Sequence, residues 1–231
     1  MFDISPTEWT AILLSLRVAV IATLVATPFG IGLAWLLARR DFWGKSVLDA
    51  LVHLPLVLPP VVTGYLLLLT FGHRGLVGAW LADHLGIVFA FRWTGAALAC
   101  GVMSFPLLVR PIRLSIEAID KRLEQAAGTL GAAPWQVFTT VTLPLALPGV
   151  LAGMVLGFAK AIGEFGATIT FVSNIPGETQ TISSAIYSLI QTPDGDAAAE
   201  RLVIVSIVIA MGALIASEWF ARRATKRLHG N

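Results

Sequence analysis

AILLSLRVAVIATLVATPFGIGLAWLLA, residues 11–38, contains a single ionisable side chain, Arg17. The run exceeds the about 20 apolar residues that carry a helix across a bilayer. A stretch so long and so poor in charge has lipid, not water, as its solvent. The rest of the chain agrees. Of its 231 residues, 56% are hydrophobic and 13% charged, and the mean hydropathy is +0.80. A soluble domain carries about twice that charged fraction, so a soluble globular enzyme is excluded. A disordered chain, which is polar and poor in large apolar residues, is excluded too.

Four further apolar runs follow, over residues 50–71, 93–116, 143–172 and 202–220. The reading is an all-α polytopic membrane protein of about five transmembrane helices. Residues 1–231 are taken as one transmembrane domain. Thr27-Pro28-Phe29-Gly30 interrupts the first run. Trp9, Trp35, Trp43, Trp93 and Trp219 stand at or near run ends, where an indole prefers the interface. Met1 to Glu8 contains no Lys or Arg, so the basic start of a signal peptide is missing and the first run is expected to remain as a span.

Orientation follows from the basic residues. With the N-terminus outside and the C-terminus inside, the inner segments hold Arg39, Arg40, Lys45, Arg113, Lys121, Arg122, Arg222, Arg223, Lys226 and Arg227. The outer segments hold only Arg74, Arg92 and Arg201. This bias places the N-terminus outside, and the pI near 9.0 reflects topology rather than nucleic acid. Gly75 to Phe91 is apolar, but Asp83 and His84 are costly in lipid, which predicts an outer interfacial hairpin or helix. Ile182, Ala185, Ile186, Leu189 and Ile190 share a helical face and predict an outer amphipathic helix.

Signals of chemistry are weak. The four histidines are scattered, Cys100 is alone, and Asp194-Gly195-Asp196 reads as an acidic turn. Gly44-Lys45-Ser46 is like the end of a phosphate loop, but Arg39 stands where that loop needs its first glycine. No metal or nucleotide site is expected in this chain. If it moves a solute with ATP, another chain is the ATPase.

The strongest signal lies in the long inner segment, Arg113 to Thr142, whose coupling part is taken as 117–142. Ile116, Ile119, Leu123 and Ala127 form an apolar stripe opposite Glu117, Asp120, Lys121 and Arg122. Gly131 interrupts the pattern, and Pro134 suits the first position of a second short helix. Trp135, Val137 and Phe138 then face the cytoplasm unless something covers them. A helix pair with small residues at its turn and aromatics beyond suits docking into a partner's groove.

Gln125-Ala126-Ala127, three residues, Gly131, nine residues, then Val141-Thr142-Leu143-Pro144 resembles the coupling motif of ABC importer permeases. That motif runs Glu-Ala-Ala, three residues, Gly, nine, an apolar residue, one more, Leu-Pro. Gln125 stands where Glu is usual, with Glu124 beside it, so either side chain is a candidate for the acidic role. Leu54 to Tyr65 and Ala159 to Thr168, with Asn174 to Thr181, resemble molybdate importer permeases and, more distantly, those for sulfate and thiosulfate. The resemblance implies a type I importer fold and a homodimer in the bacterial inner membrane. It also implies cytoplasmic ATPase subunits that bind ATP and Mg, and a periplasmic oxyanion-binding protein. Glu124, Gln125, Ala126, Ala127, Gly131, Trp135, Leu143 and Pro144 would couple to the ATPase. The cargo would be molybdate, with sulfate, thiosulfate or tungstate as alternatives. A secondary transporter driven by an ion gradient is the rival class, but no inverted repeat or midplane relay is visible.

Several residues inside the spans have two readings each. Pro55, Pro59 and Pro60 remove backbone donors from the second run. That break is either a pathway wall, with Thr63 offering a hydroxyl, or a packing kink. Gly149, Gly153 and Gly157 form a small-residue face, for a dimer seam or for packing within one subunit. Lys160 and Glu164 are either pathway groups for a dianion or an internal ion pair.

Overall fold

The computed structural model describes residues 4–228, with side chains up to Ala216 in the last helix. The elements are α1 (Pro6–Arg39), α2 (Lys45–Val57), α3 (Pro60–Phe71), α4 (Leu76–Leu85), α5 (Trp93–Glu117), α6 (Lys121–Thr129), α7 (Pro134–Val137), a π turn (Phe138–Thr142), α8 (Leu143–Ile162), α9 (Gly166–Val172), α10 (Ile182–Leu189) and α11 (Asp196–Leu228). α1, α5, the run Pro134–Ile162 and α11 are each long and apolar enough to cross a membrane, and α2 with α3 makes a bent fifth candidate.

α1 begins at a capping box. Glu8 N–H donates to Ser5 Oγ at 3.2 Å, and Ser5 N–H donates to the Glu8 carboxylate at 2.6 Å. The expected interruption at Thr27 to Gly30 does not occur, and the helix runs unbroken to Arg39. Pro28 forfeits one ladder bond, but the helix is held along its length by α5. Gly30 makes that approach possible, because a Cβ there would strike the Leu108 side chain. α5 is the central helix, with Leu108, Val109, Ile112 and Ile116 buried among α1, α2 and α8.

The second run is not one continuous helix. Pro59-Pro60 ends α2 at Val57, and α3 leaves at 115° to it. Two consecutive rings, with Leu58 and Pro59 held extended, deny the chain any helical continuation. Pro55, by contrast, stays inside α2.

The fourth run is divided as well. α8 stops at Ile162, and after Gly163 to Phe165 the short α9 turns to pack against α3. α3 and α9 touch backbone to backbone. A Cβ on Gly64 would lie 2.5 Å from the Ala167 carbonyl oxygen, and one on Gly166 would lie 2.7 Å from Pro60 Cβ. The glycine face of α8 packs within the same chain. Gly149 abuts Ser115 and Pro111, and a Cβ on Gly153 would lie 2.6 Å from the Leu108 carbonyl.

The two short segments expected on the outer side are helices. α4 follows the turn at Gly72 to Gly75. α10 buries Ile182 and Ala185 against α1 and α11, and its first N–H donates to Ser15 Oγ at 2.7 Å. Ile190, placed on the apolar face from the sequence, is exposed just past the helix end, while Ser184 is buried. At the same end Glu8 is paired with Arg201 at 2.9 Å, joining α1 to α11.

Candidate functional site

The long loop between α5 and α8 divides into a buried root and a projecting tip. The stripe read from the sequence does not continue through it. Ile116 and Ile119 are buried, but the helix ends at Glu117 and restarts at Lys121, so Leu123 points outward. Asp120 caps the new helix, its carboxylate accepting from Arg122 N–H at 2.9 Å. No residue of α6 is buried.

The spacing from Ala127 to Gly131 has a local cause. Ala132 N–H donates to the Ala127 carbonyl at 3.2 Å, and Gly131 N–H donates to the Gly128 carbonyl at 3.0 Å. This is a Schellman ending, which needs a left-handed residue at Gly131. Gly131 has φ +90°, and nothing lies near the position of a Cβ. Pro134 then opens α7, where Gln136 Oε1 accepts from Ala133 N–H at 2.7 Å. The tip between the helices presents Leu130 (89% exposed) and Trp135 (68% exposed). Gln125 and Ala126 are exposed and Ala127 half-buried on the same projecting helix.

The root is polar and tied down. Glu124, not Gln125, takes the acidic role inside this chain. Its carboxylate lies 3.0 Å from Arg39 Nε at the end of α1 and accepts from Thr142 Oγ1 at 2.6 Å. Arg39 also donates to the Ile119 carbonyl at 3.2 Å. Glu124 thereby joins α6 to α1 and to the foot of α8. Phe138, expected to be exposed, is half-buried with its ring edge-on to Trp35 of α1 at 6.0 Å. Leu143 N–H reaches back five residues to the Phe138 carbonyl, closing the π turn. The next residue is Pro144, which has no N–H to give, so the ladder lacks a donor just after the turn.

Sequence reasoning missed Arg39 and Thr142, because no local signal places them near Glu124. It also missed a second cluster at this end. Arg113 on α5 pairs with Asp49 of α2 at 3.0 Å and with Glu117 at 2.8 Å.

Among the pathway candidates, Lys160 and Glu164 meet at 2.6 Å. They do not share a helix face, because α8 has ended between them. Lys160 lies in the last turn of α8, where a cation is favoured by the helix dipole. Glu164 lies just before α9, where its carboxylate accepts from Ala167 N–H at 2.9 Å. The Glu164 side chain is 1% exposed and that of Lys160 29%. Thr63 is 6% exposed, and its hydroxyl has no hydrogen-bond partner among the described residues. No hydrogen bond joins Thr63 to the Lys160–Glu164 pair among the described residues. The link is through backbone, since Gly64 rests on Ala167.

Comparison with known proteins places this arrangement. The model of the family described as "Binding-protein-dependent transport system inner membrane component" matches residues 26–228. The chain is 62% identical over 220 residues to the molybdenum transport system permease protein ModB of Escherichia coli (strain K12), covering 95% of this chain and 96% of that protein. It is 57% identical over 221 residues to the protein of that name in Haemophilus influenzae, covering 96% of each. Its fold is shared with a bacterial ABC transporter involved in the import of the acidic polysaccharide alginate. That match has a TM-score of 0.74 and 21% identity, and covers 95% of this chain and 80% of that one. The chain belongs to the binding-protein-dependent inner membrane component family, as the multi-pass permease part of an ABC importer and not its catalytic part.

Proposed function

We propose that this chain is the permease subunit of an ATP-driven importer that takes molybdate across the bacterial inner membrane, working as a homodimer. The observation that carries the coupling part is the loop Lys121 to Thr142. Its tip is uncovered and apolar, while its root is fastened to α1 and α8 through Glu124. Similarity to molybdenum permeases along 95–96% of the chain supports the cargo.

In this reading the N-terminus is periplasmic, the C-terminus cytoplasmic, and α6, α7 and Arg39 lie on the cytoplasmic side. The excess of Lys and Arg in those segments supports it. Two ATPase subunits bind ATP and Mg, and a periplasmic protein delivers the oxyanion. Each ATPase groove holds one tip, formed by Gln125, Ala126, Ala127, Gly131 and Trp135. ATP binding draws the ATPases together, which favours one arrangement of the spans over the other. Displacement of α6 reaches α1 through Arg39 and α8 through Thr142, and Leu143-Pro144 starts the moving helix. Lys160 is the cation met by a passing dianion, Glu164 keeps it from being held firmly, and Thr63 offers a hydroxyl. Weak engagement suits a conduit, because strong binding slows release.

ATP-dependent uptake of labelled molybdate tests this reading, in vesicles holding the permease, its ATPase and its binding protein. Uptake blocked by tungstate and unaffected by excess sulfate is the expected result. Uptake abolished by sulfate would move the cargo to the sulfate branch, and uptake without ATP would end the importer reading.

A further inference from the structure

α2 stops at Val57 and α3 turns away by 115°, which leaves an open apolar groove beside α1 and α5. The groove measures about 670 Å³ and runs between Val25 and Phe29 of α1, Leu51 of α2, and Val102 and Phe105 of α5, with Trp93 at one end. α1 and α5 run parallel, since Arg17 meets Trp93 and Gly30 meets Leu108.

At the Trp93 end the Arg17 guanidinium lies 3.7 Å from the indole centroid. Arg17 is exposed, and among the described residues no carboxylate is within ion-pair distance of it. Arg17 precedes Phe29 by 12 residues, about 18 Å of helix. Half of a bilayer's hydrocarbon core is about 15 Å. The groove therefore has the length of one leaflet, an apolar trough and a cation at its interfacial mouth. An apolar helix of a second copy would fill the trough but bring no anion to Arg17. One molecule supplies both parts. We propose that the groove binds an anionic phospholipid from the leaflet at the N-terminal end of α1, with one acyl chain along the trough and the phosphate on Arg17.

Two variants separate the head from the tail. Arg17→Gln removes the charge at an exposed position. Gly101→Leu fills the trough from a position where a Cβ meets nothing closer than the Ala22 carbonyl at 3.8 Å. The permease–ATPase complex is incubated with equal phosphatidylglycerol and phosphatidylcholine, and native mass spectrometry counts the lipid retained per permease chain. The expected result is one retained phosphatidylglycerol, favoured several-fold over phosphatidylcholine. Arg17→Gln should abolish the preference, Arg17→Lys should keep it, and Gly101→Leu should lose retention of both lipids while the complex stays assembled. Retention unchanged in Arg17→Gln and Gly101→Leu would overturn the proposal. Separation of the two permease copies by Gly101→Leu would also overturn it, by assigning the groove to the second copy.

Discussion

Arg39 and Glu124, 85 residues apart in sequence, meet at 3.0 Å where α1 ends and α6 begins, with side chains only 8% and 18% exposed. Thr142 closes the group from the foot of α8. Under the proposed function this fastening would make the pair a mechanical joint between α6, α1 and α8 as well as a stabilising contact.

Removing one member should therefore damage transmission more than docking. Glu124→Ala leaves the Arg39 guanidinium without its anion, at a cost on the order of 1–3 kcal/mol. The expected outcome is a complex that still captures its ATPase, while uptake and ATP hydrolysis lose their dependence on each other. The exchanged pair Arg39→Glu with Glu124→Arg should recover part of that coupling. Co-purification of the ATPase and vesicle transport, measured on the same preparations, check both statements.

Trp135 tests the tip in the opposite sense. It is largely exposed, so Trp135→Ala should change the stability of the permease by no more than about 0.5 kcal/mol. Loss of a central aromatic anchor from an interface costs about 2 kcal/mol or more. ATPase binding should weaken on the order of tenfold or more, read by titrating the ATPase onto immobilised permease.

The α3–α9 crossing is set by a glycine with no room beside it. Gly64→Ala puts a methyl group 2.5 Å from the Ala167 carbonyl oxygen, and backbone on both sides cannot yield cheaply. Destabilisation of about 1–3 kcal/mol is expected. Gly32→Ala, in α1 with nothing within 4 Å, should instead stabilise by about 0.5–1 kcal/mol through helix propensity. Thermal unfolding of the solubilised complex should move in opposite directions for the two.

The Lys160–Glu164 pair can be taken apart without leaving a lone charge. Glu164→Gln alone leaves a partly buried lysine unpaired and should lower thermal stability. Lys160→Met with Glu164→Gln should restore most of it. If the lysine serves the pathway, molybdate uptake by the double variant should stay depressed although its stability has returned. Full recovery of both would reduce the pair to an internal tie between α8 and α9.

What was legible in the sequence is what local chemistry controls. Gly131 declares a left-handed turn, Pro134 a helix start and Pro59-Pro60 a break, each through its own backbone. Pro28 shows the limit of such reading. It has the same missing N–H as Pro60, yet α1 passes through it, because α5 packs alongside at Gly30. The end of α8 at Ile162 was hidden for the converse reason. Only Gly163 marks it locally, and the turn is stabilised by α3 and by the Glu164 cap. Pairs such as Arg39–Glu124 and Glu8–Arg201 join residues 85 and 193 apart. Each arginine looked topological because its partner was invisible to any local window.

In the proposed mechanism the loop from Gln125 to Pro144 carries ATPase motion into the spans, and Gly131 is its most exacting residue. Gly131→Val forces a β-branched side chain to φ +90°, at about 1–3 kcal/mol, and disrupts the turn that separates α6 from α7. The decisive measurement is the affinity of the ATPase for membranes containing this variant, paired with molybdate uptake. Loss of both is expected, in a permease that still inserts and folds. Normal ATPase affinity together with normal uptake would contradict it.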